Sequence, residues 1–387
     1  MATLCLVSKS FLVVCRPRLF STVTLLATFP SSAYPQYRDP SAEDRTTWLT
    51  DLRDHNSDAE DCARLVKHCT YSTRVPLNCR FYPTAEDVRF STKLAMSKGW
   101  LPAIASFTNL HVLRLCNCIL TITLVHGLIG LSQLRQLEMY GCHALDKLTP
   151  ELVDACQPKL TSLTTRHCWT RRYGQNSLPT DWELVIVRLT NIPKLRRLGT
   201  DEERLLLRIF NPDTVLSSLE ALDLTYLCIS GRADKPAELV AQWLSHCPAL
   251  VSFVMPRILS LVPIAAYSFL RSLECSVTAV KSALLARKRW PFSRLIIYDD
   301  VKVPTTKALM TRIAKEASGK IVEIVLPMGM FHQIHNNLTL NVPHLTILST
   351  ERKVEDRKSF VLALRSCLVS LTFTCHLVFH PNDRFLG

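Results

Sequence analysis

The chain has 387 residues, 48% of them apolar (AVILMFWYC) and only 10 of them glycine, a composition that excludes a disordered or collagen-like polypeptide and allows one to three domains. The formal charge is +13. The basic residues are dispersed, though, in groups no longer than Arg287-Lys288-Arg289, with Arg171-Arg172 and Arg196-Arg197 next. They read as solvated surface, and no nucleic-acid partner is expected. No run of about 18 apolar residues occurs, so no transmembrane helix or membrane partner is expected. The 15 cysteines are odd in number and contain no C-x-x-C pair, which favours small buried thiols in a reducing compartment over a disulfide framework.

In residues 1–26 the apolar positions Leu4, Val7, Phe11 and Val14 recur at spacings of three and four, which predicts an amphipathic helix. Pro17 limits it before Leu19, Phe20 and Val23 resume the apolar pattern. One reading is a packed helical cap. Another is a transit peptide, since Lys9, Arg16 and Arg18 are basic and no acidic residue precedes Asp39. A third comes from the order of the residues themselves: Leu4-Cys5-Leu6-Val7-Ser8-Lys9-Ser10-Phe11, then Arg16-Pro17-Arg18-Leu19-Phe20-Ser21-Thr22-Val23-Thr24-Leu25. This stretch resembles the second half of the F-box in the F-box proteins of mushroom-forming fungi, where a C-x-L-V-S-basic-x-aromatic helix leads into R-x-x-L-F-x-x-V-x-L.

That resemblance implies that Leu4, Leu6, Val7, Phe11, Leu19 and Phe20 contact the Skp-type adaptor of a cullin-RING ubiquitin ligase. The family's opening Leu-Pro-x-Glu helix has no counterpart after Met1. The expectation is therefore a partial F-box over residues 1–26 that binds the adaptor weakly or not at all, because it lacks much of the roughly 1,600 Å² that a standard specific interface buries.

Residues 27–105 read as linker and cap. Pro30, Pro35 and Pro40 with Ser31 and Ser32 suggest an extended linker, and Ser41-x-x-Asp44 suggests a capped helix running to Leu52. From Glu60 to Cys69 the residues Cys62, Leu65, Val66 and Cys69 fall on one helical face, which predicts a helix packed on the first repeat.

From residue 106 to 387 one phrase recurs. It reads Leu110-x-x-Leu113-x-Leu115-x-x-Cys118, then Leu134-x-x-Leu137-x-Met139-x-x-Cys142 after 24 residues, then Leu160-x-x-Leu163-x-Thr165-x-x-Cys168 after 26. The period-2 part sends alternate side chains inward from a short strand, and the Cys falls where the chain turns out of it and wants a small buried residue. This is the leucine-rich-repeat signature. One unit cannot bury its apolar edge alone, so the units must stack with parallel strands. The pattern continues, drifting, from Leu195, Leu219, Leu250, Leu270, Phe292, Ile321, Leu345 and Leu368, at spacings from 20 to 35 residues.

Between the strands, Ala237–Cys247 and Thr306–Ala317 carry helical apolar stripes. Pro158, Pro193, Pro248 and Pro343 each stand two residues before the opening Leu of a strand, where proline stops a helix. The predicted fold is an α/β leucine-rich-repeat solenoid, with parallel strands on the concave side and helices on the convex side. The Pro-x-Leu joints again resemble the repeats found behind fungal F-boxes.

No catalytic motif emerges. A Gly-rich phosphate loop, G-x-S-x-G and a distinctive carboxylate pair are all missing from the sequence. His376 and His380 have metal-like spacing, but the alternation around them is that of a strand, on which residues four apart lie about 13 Å apart. His332 and His335 have no third ligand nearby in sequence, and Asn337-Leu338-Thr339 is a chance-level glycosylation tripeptide. No metal or other cofactor is expected.

The expected function is therefore non-catalytic protein binding on the repeat face. The residue between the last two apolar positions of each phrase points outward, and with its neighbours this nominates Arg114, Glu138, Tyr140, Arg166, Arg197, Asp223, Glu274 and Tyr298 as partner contacts. The competing reading is that they are ordinary cross-strand pairs, such as Arg114 with Glu138. By resemblance, the chain is the substrate-recognition subunit of an SCF-type ubiquitin ligase in the cytoplasm or nucleus. The alternative is a repeat scaffold without a ubiquitin role, and a more remote one is a mitochondrial protein cleaved near residue 38.

Overall fold

The computed structural model describes residues 9–27, 51–52, 54–73, 103–116, 118–144, 146–170, 178–211, 214–225, 227, 236–255, 270–276, 293–298, 323–327, 344–349 and 374–379. The chain divides into two compact units, Met1–Pro212 and Asp213–Gly387.

The first unit opens with helix α1 (Lys9–Phe20), strand β1 (Thr22–Ala27), helix α2 (Ser57–Arg64) and strand β2 (His68–Thr73). It continues with β3 (Val112–Cys116), β4 (Ile119–Leu120), α3 (Ile122–Gly130), β5 (Gln136–Tyr140), β6 (His143–Ala144), α4 (Pro150–Asp154), β7 (Ser162–Arg166), β8 (Trp169–Thr170), α5 (Thr180–Leu189), β9 (Arg197–Thr200) and α6 (Glu203–Ile209). Strands β1, β2, β3, β5, β7 and β9 pair in that order, all parallel. Strands β4, β6 and β8 form a second, narrow parallel sheet. Parallel neighbours need crossovers, and helices supply most of them, so the class is α/β.

The register explains the core. Leu113, Leu137, Leu163 and Leu198 occupy one rung of the main sheet and are all buried. The period of two sends Leu115, Met139, Thr165 and Thr200 to the same face two residues on, where they are also buried. Helices complete that core from the sequence's 3.6-residue stripes: α3 buries Leu124, Val125 and Leu128, and α5 buries Trp182, Val185, Ile186 and Leu189. The hydroxyls of Thr121 and Thr149 accept the Leu124 and Leu152 N–H groups, capping α3 and α4.

Each repeated cysteine does more than fill a small space. The Cys118 thiol donates to the Tyr71 carbonyl at 3.6 Å, Cys142 to Leu115 at 3.5 Å, and Cys168 to Met139 at 3.7 Å. Every one therefore reaches back to the strand before its own. Ahead of Cys142 and Cys168 the turn is made in the left-handed region, by Gly141 at φ 61° without steric cost and by His167 at φ 53° with it. The His167 backbone N–H is held by Asp201 Oδ2 at 2.6 Å.

The second unit holds β10 (Ala221–Asp223), α7 (Pro236–Ser245), β11 (Ser252–Met255), β12 (Ser272–Ser276), β13 (Arg294–Tyr298), β14 (Glu323–Pro327), β15 (His344–Ser349) and β16 (Thr374–Phe379). Its strands also pair in chain order and in parallel. Leu222, Phe253, Leu273 and Leu295 share a rung and are buried. The rung continues through Ile324, Leu345 and Cys375. Among the described residues, no helix is long and apolar enough to cross a membrane.

Three expectations need correction. The helix expected over Glu60–Cys69 ends at Arg64, because Leu65 and Val66 turn back to the Cys62 and Ala63 carbonyls and Lys67 and His68 donate to Ser21 O, which starts β2. Strands β1 and β2 lie where a partial F-box and a linker were expected, and β1 runs across the expected boundary at residue 26. The phrase read from Leu345 put Leu348 at its inner position, whereas β15 aligns Leu345 with Ile324. Leu371, the helix expected over Thr306–Ala317, His332, His335, Asn337 and His380 lie outside the described residues.

Candidate functional site

The face of the first sheet opposite the buried leucines carries a polar cluster built by strand alternation. Arg114, Glu138, Thr164 and Gly199 occupy one rung of β3, β5, β7 and β9. Arg114 Nε donates to Glu138 Oε2 at 2.6 Å, Gln136 Nε2 donates to Oε1 at 2.5 Å, and the Tyr140 hydroxyl donates to Oε2 at 3.3 Å. The Glu138 side chain is only 9% exposed while that of Arg114 is 49% exposed. Burial works against the Glu138 charge, but the Arg114 guanidinium, the Gln136 amide and the Tyr140 hydroxyl outweigh it and hold the carboxyl below its ordinary value. Burial, with Glu138 close by, raises the Tyr140 phenol. A carboxylate that accepts three hydrogen bonds and is held ionised by them is a fixed structural anion, so the cluster is suited to shape and charge recognition.

Tyr140 is level with Arg166 on the next strand, and both are half-buried at the downstream end of the face. Arg197 is exposed at its upstream end, level with Ser162. These five nominated residues therefore share one face of the first unit.

The other three nominated residues belong to the second unit. The Asp223 carboxylate is turned inward to its own strand end, accepting from the Thr225 backbone N–H at 3.0 Å and from the Thr225 hydroxyl. Glu274 is half-buried and level with Val254 and Ile296, and Tyr298 is level with Ser276. Of the residues nominated for adaptor contact, Leu4, Leu6 and Val7 lie outside the described residues, and Phe11 lies on α1. Leu19 and Phe20 are half-buried at its end. Arg16 ties α1 to α2, its Nη2 donating to the Asp58 carbonyl at 3.2 Å and to Cys62 Sγ at 3.1 Å.

Two features have no counterpart among the sequence expectations. Lys159 bridges to the C-terminal carbonyls of α3, those of Leu128 and of Ile129 at 3.3 Å, and burial brings its ammonium down to about 8. The second is an acidic nest around the end of β9. Glu183 is completely buried and bonded to Arg208 at 3.2 Å, and Asp201 and Glu202 follow Thr200. Burial pushes Asp201 up and brings Glu202 up to about 8, with Asp201 and Glu183 adding to the latter. Glu183 Oε1 and Asp201 Oδ1 are buried without a hydrogen bond. The sequence signal for this nest is the pair Thr165 and Thr200 on a rung that holds Leu25, Tyr71, Leu115 and Met139 in the preceding strands, with their hydroxyls joined at 2.7 Å.

Among the described residues, no group of three or more His, Cys, Asp or Glu is placed to hold a metal ion. Neither a protein-family model nor a curated protein matches the chain.

Proposed function

We propose that the chain is a leucine-rich-repeat protein that binds another protein on the outward face of its strands and performs no catalysis itself. The observation that carries the reading is the shared register. Units that repeat in sequence lie rung on rung, so Arg114, Glu138, Tyr140, Arg166 and Arg197 come to one face although they span 84 residues. Tyr and Arg are the residue types most often found as interface anchors. Glu138 fixes Arg114 and Tyr140 in place before any partner arrives, which lowers the ordering cost of binding.

The stretch from Leu4 to Leu25 supports a finer reading by resemblance: substrate recognition within an SCF-type ubiquitin ligase of the cytoplasm or nucleus, with residues 1–26 as the adaptor-binding part. The Arg16 contacts with α2 favour a second reading, a scaffold without a ubiquitin role, because they commit part of α1 to the chain's own packing.

Co-purification with a Skp-type adaptor separates the two. The 387-residue chain and a form extended by the codons upstream of Met1 are compared. Capture of adaptor by the extended form supports the ligase reading, and capture by neither removes it. For the face itself, Tyr140→Ala and Arg166→Ala are compared with Arg188→Glu on α5 in a pull-down of any captured protein. Binding abolished by the helix change alone would move the partner off the sheet.

A further inference from the structure

The residues just ahead of the strands form a ladder of their own. The Ser21 carbonyl accepts from the Lys67 and His68 N–H groups, Lys67 O from His111 and Val112, and His111 O from Arg135 and Gln136. Arg135 O accepts from Thr161 and Ser162, and Thr161 O from Arg196 and Arg197. Each carbonyl thus takes two successive N–H groups, at 2.8 to 3.4 Å, which fixes Lys67, His111, Arg135, Thr161 and Arg196 side by side at strand spacing.

This edge is basic and uncompensated. Lys67, His68, His111, Arg196 and Arg197 are exposed and Arg135 is half-buried. None of the six forms an ion pair among the described residues. No Asp or Glu occurs in the ladder or at the strand positions immediately after it in the first unit. In the second unit the same ladder begins with Glu220 and continues with Val251 and Arg271, so the basic run is not a property of the repeat geometry. Like charges on neighbouring strands repel; Arg135 Nη1 donates to the Ser132 and Leu134 carbonyls at 2.8 and 3.0 Å, but among the described residues no carboxylate pairs with any of the six.

We infer that this edge of the first sheet is a docking surface for an acidic segment of a partner protein, adjoining the Tyr140–Arg166 face at Arg197 and independent of any ubiquitin role. Charge complementarity names the occupant. Strands stand about 4.8 Å apart, so Lys67 to Arg196 spans roughly 19 Å, the reach of about six extended residues. Lys67, Arg135 and Arg196 stand two strands apart in turn, about 10 Å, so carboxylates on every third residue of such a segment can each meet one cation. A single-stranded nucleic acid fits less well, because its binding sites interleave basic residues with stacking aromatics, and no Phe, Tyr or Trp stands at these positions.

The test uses the whole chain and fluorescence anisotropy. The probes are a fluorescein-labelled Glu-rich peptide, its Gln-substituted counterpart and an oligo-thymidine of similar charge. The Glu peptide should bind, the Gln peptide should not, and affinity should fall as salt rises. Lys67→Glu with Arg196→Glu should weaken binding by roughly tenfold or more, while Lys147→Glu with Arg188→Glu, equally charge-reversing but off the ladder, should change it by less than about twofold. All four side chains are exposed, and circular dichroism checks that both variants fold. Failure of the Glu peptide to bind, equal weakening by both variants, or tighter binding of the oligonucleotide would each overturn the assignment.

Discussion

Glu202→Gln isolates the acidic nest. Glu202 is 6% exposed. Burial first, then the charges of Asp201 and Glu183, bring its carboxyl from 4.5 to about 8, against the Leu178 N–H and Arg204, which favour the charge. Between those two pH values the folded chain binds a proton that the unfolded chain does not, so stability declines as pH rises, by about 1.4 kcal/mol per pH unit. The sum by pH 8 is on the order of 4 kcal/mol, fully regained below about pH 4.5. A neutral Glu202 also brings an O–H donor to a neighbourhood in which Glu183 Oε1 and Asp201 Oδ1 lack one.

Glutamine keeps the shape and cannot ionise. The variant should match the parent near pH 5 and exceed it by several kcal/mol at pH 8 to 9. Urea unfolding midpoints for both chains at pH 5, 6, 7, 8 and 9 give the difference curve. Taking the difference cancels Lys159, whose lowered value stabilises the fold with rising pH above about 8. Parallel curves for the two chains would refute a neutral buried Glu202.

Leu137 is fully buried between Leu113 and Leu163, and Leu137→Ala should cost about 2–5 kcal/mol in urea unfolding. Arg114→Ala leaves the Glu138 carboxylate without its cation, with only the Gln136 and Tyr140 donors, and should cost about 1–3 kcal/mol at pH 7, with most of that recovered in the Arg114→Ala, Glu138→Gln double variant, as a double-mutant cycle would show. The thiols of Cys142 and Cys168 are raised well above the ordinary value, Cys142 chiefly by burial and Cys168 chiefly by its hydrogen bond with Cys142. Native-state labelling with iodoacetamide at pH 8 should therefore proceed no faster than unfolding. Phe20→Ala should lower stability by about 1–2 kcal/mol, a loss visible in thermal unfolding without any adaptor present.

The strands with Leu, Ile or Phe at their inner positions were legible because strand alternation and a fixed phrase length act on the same residues. Strands β1 and β2 were not, although they obey the same frame: Phe20-x-x-Val23-x-Leu25 and Val66-x-x-Cys69-x-Tyr71. Their register places Val23, Cys69 and Leu113 on one rung and Leu25, Tyr71 and Leu115 on another. A pattern sought through leucine passes over Phe, Val, Cys and Tyr, while the core accepts any side chain of fitting volume. The frame of β15 went astray for the opposite reason: Leu345, Ile347 and Leu348 are all apolar, and only pairing with Ile324 and Leu326 selects the first two. The basic edge was hidden because Lys67, His111, Arg135 and Arg196 form no run along the chain. They fall in one column of the aligned phrases, directly after the first apolar residue, and charge counted down that column finds them.

The same frame changes what the F-box-like stretch can do. Its tail, Phe20-x-x-Val23-x-Leu25, is the first strand unit, with Leu25 buried and Phe20 in the position that Leu110, Leu134 and Leu160 fill, fully buried, in later units. Leu19 and Phe20 are half-buried at that junction, so part of their apolar area is used in joining α1 to the sheet. The helix also has its orientation fixed from below by Arg16 on α2. A partner gripping α1 would therefore be held at a set angle to the first sheet, and to whatever protein that sheet presents.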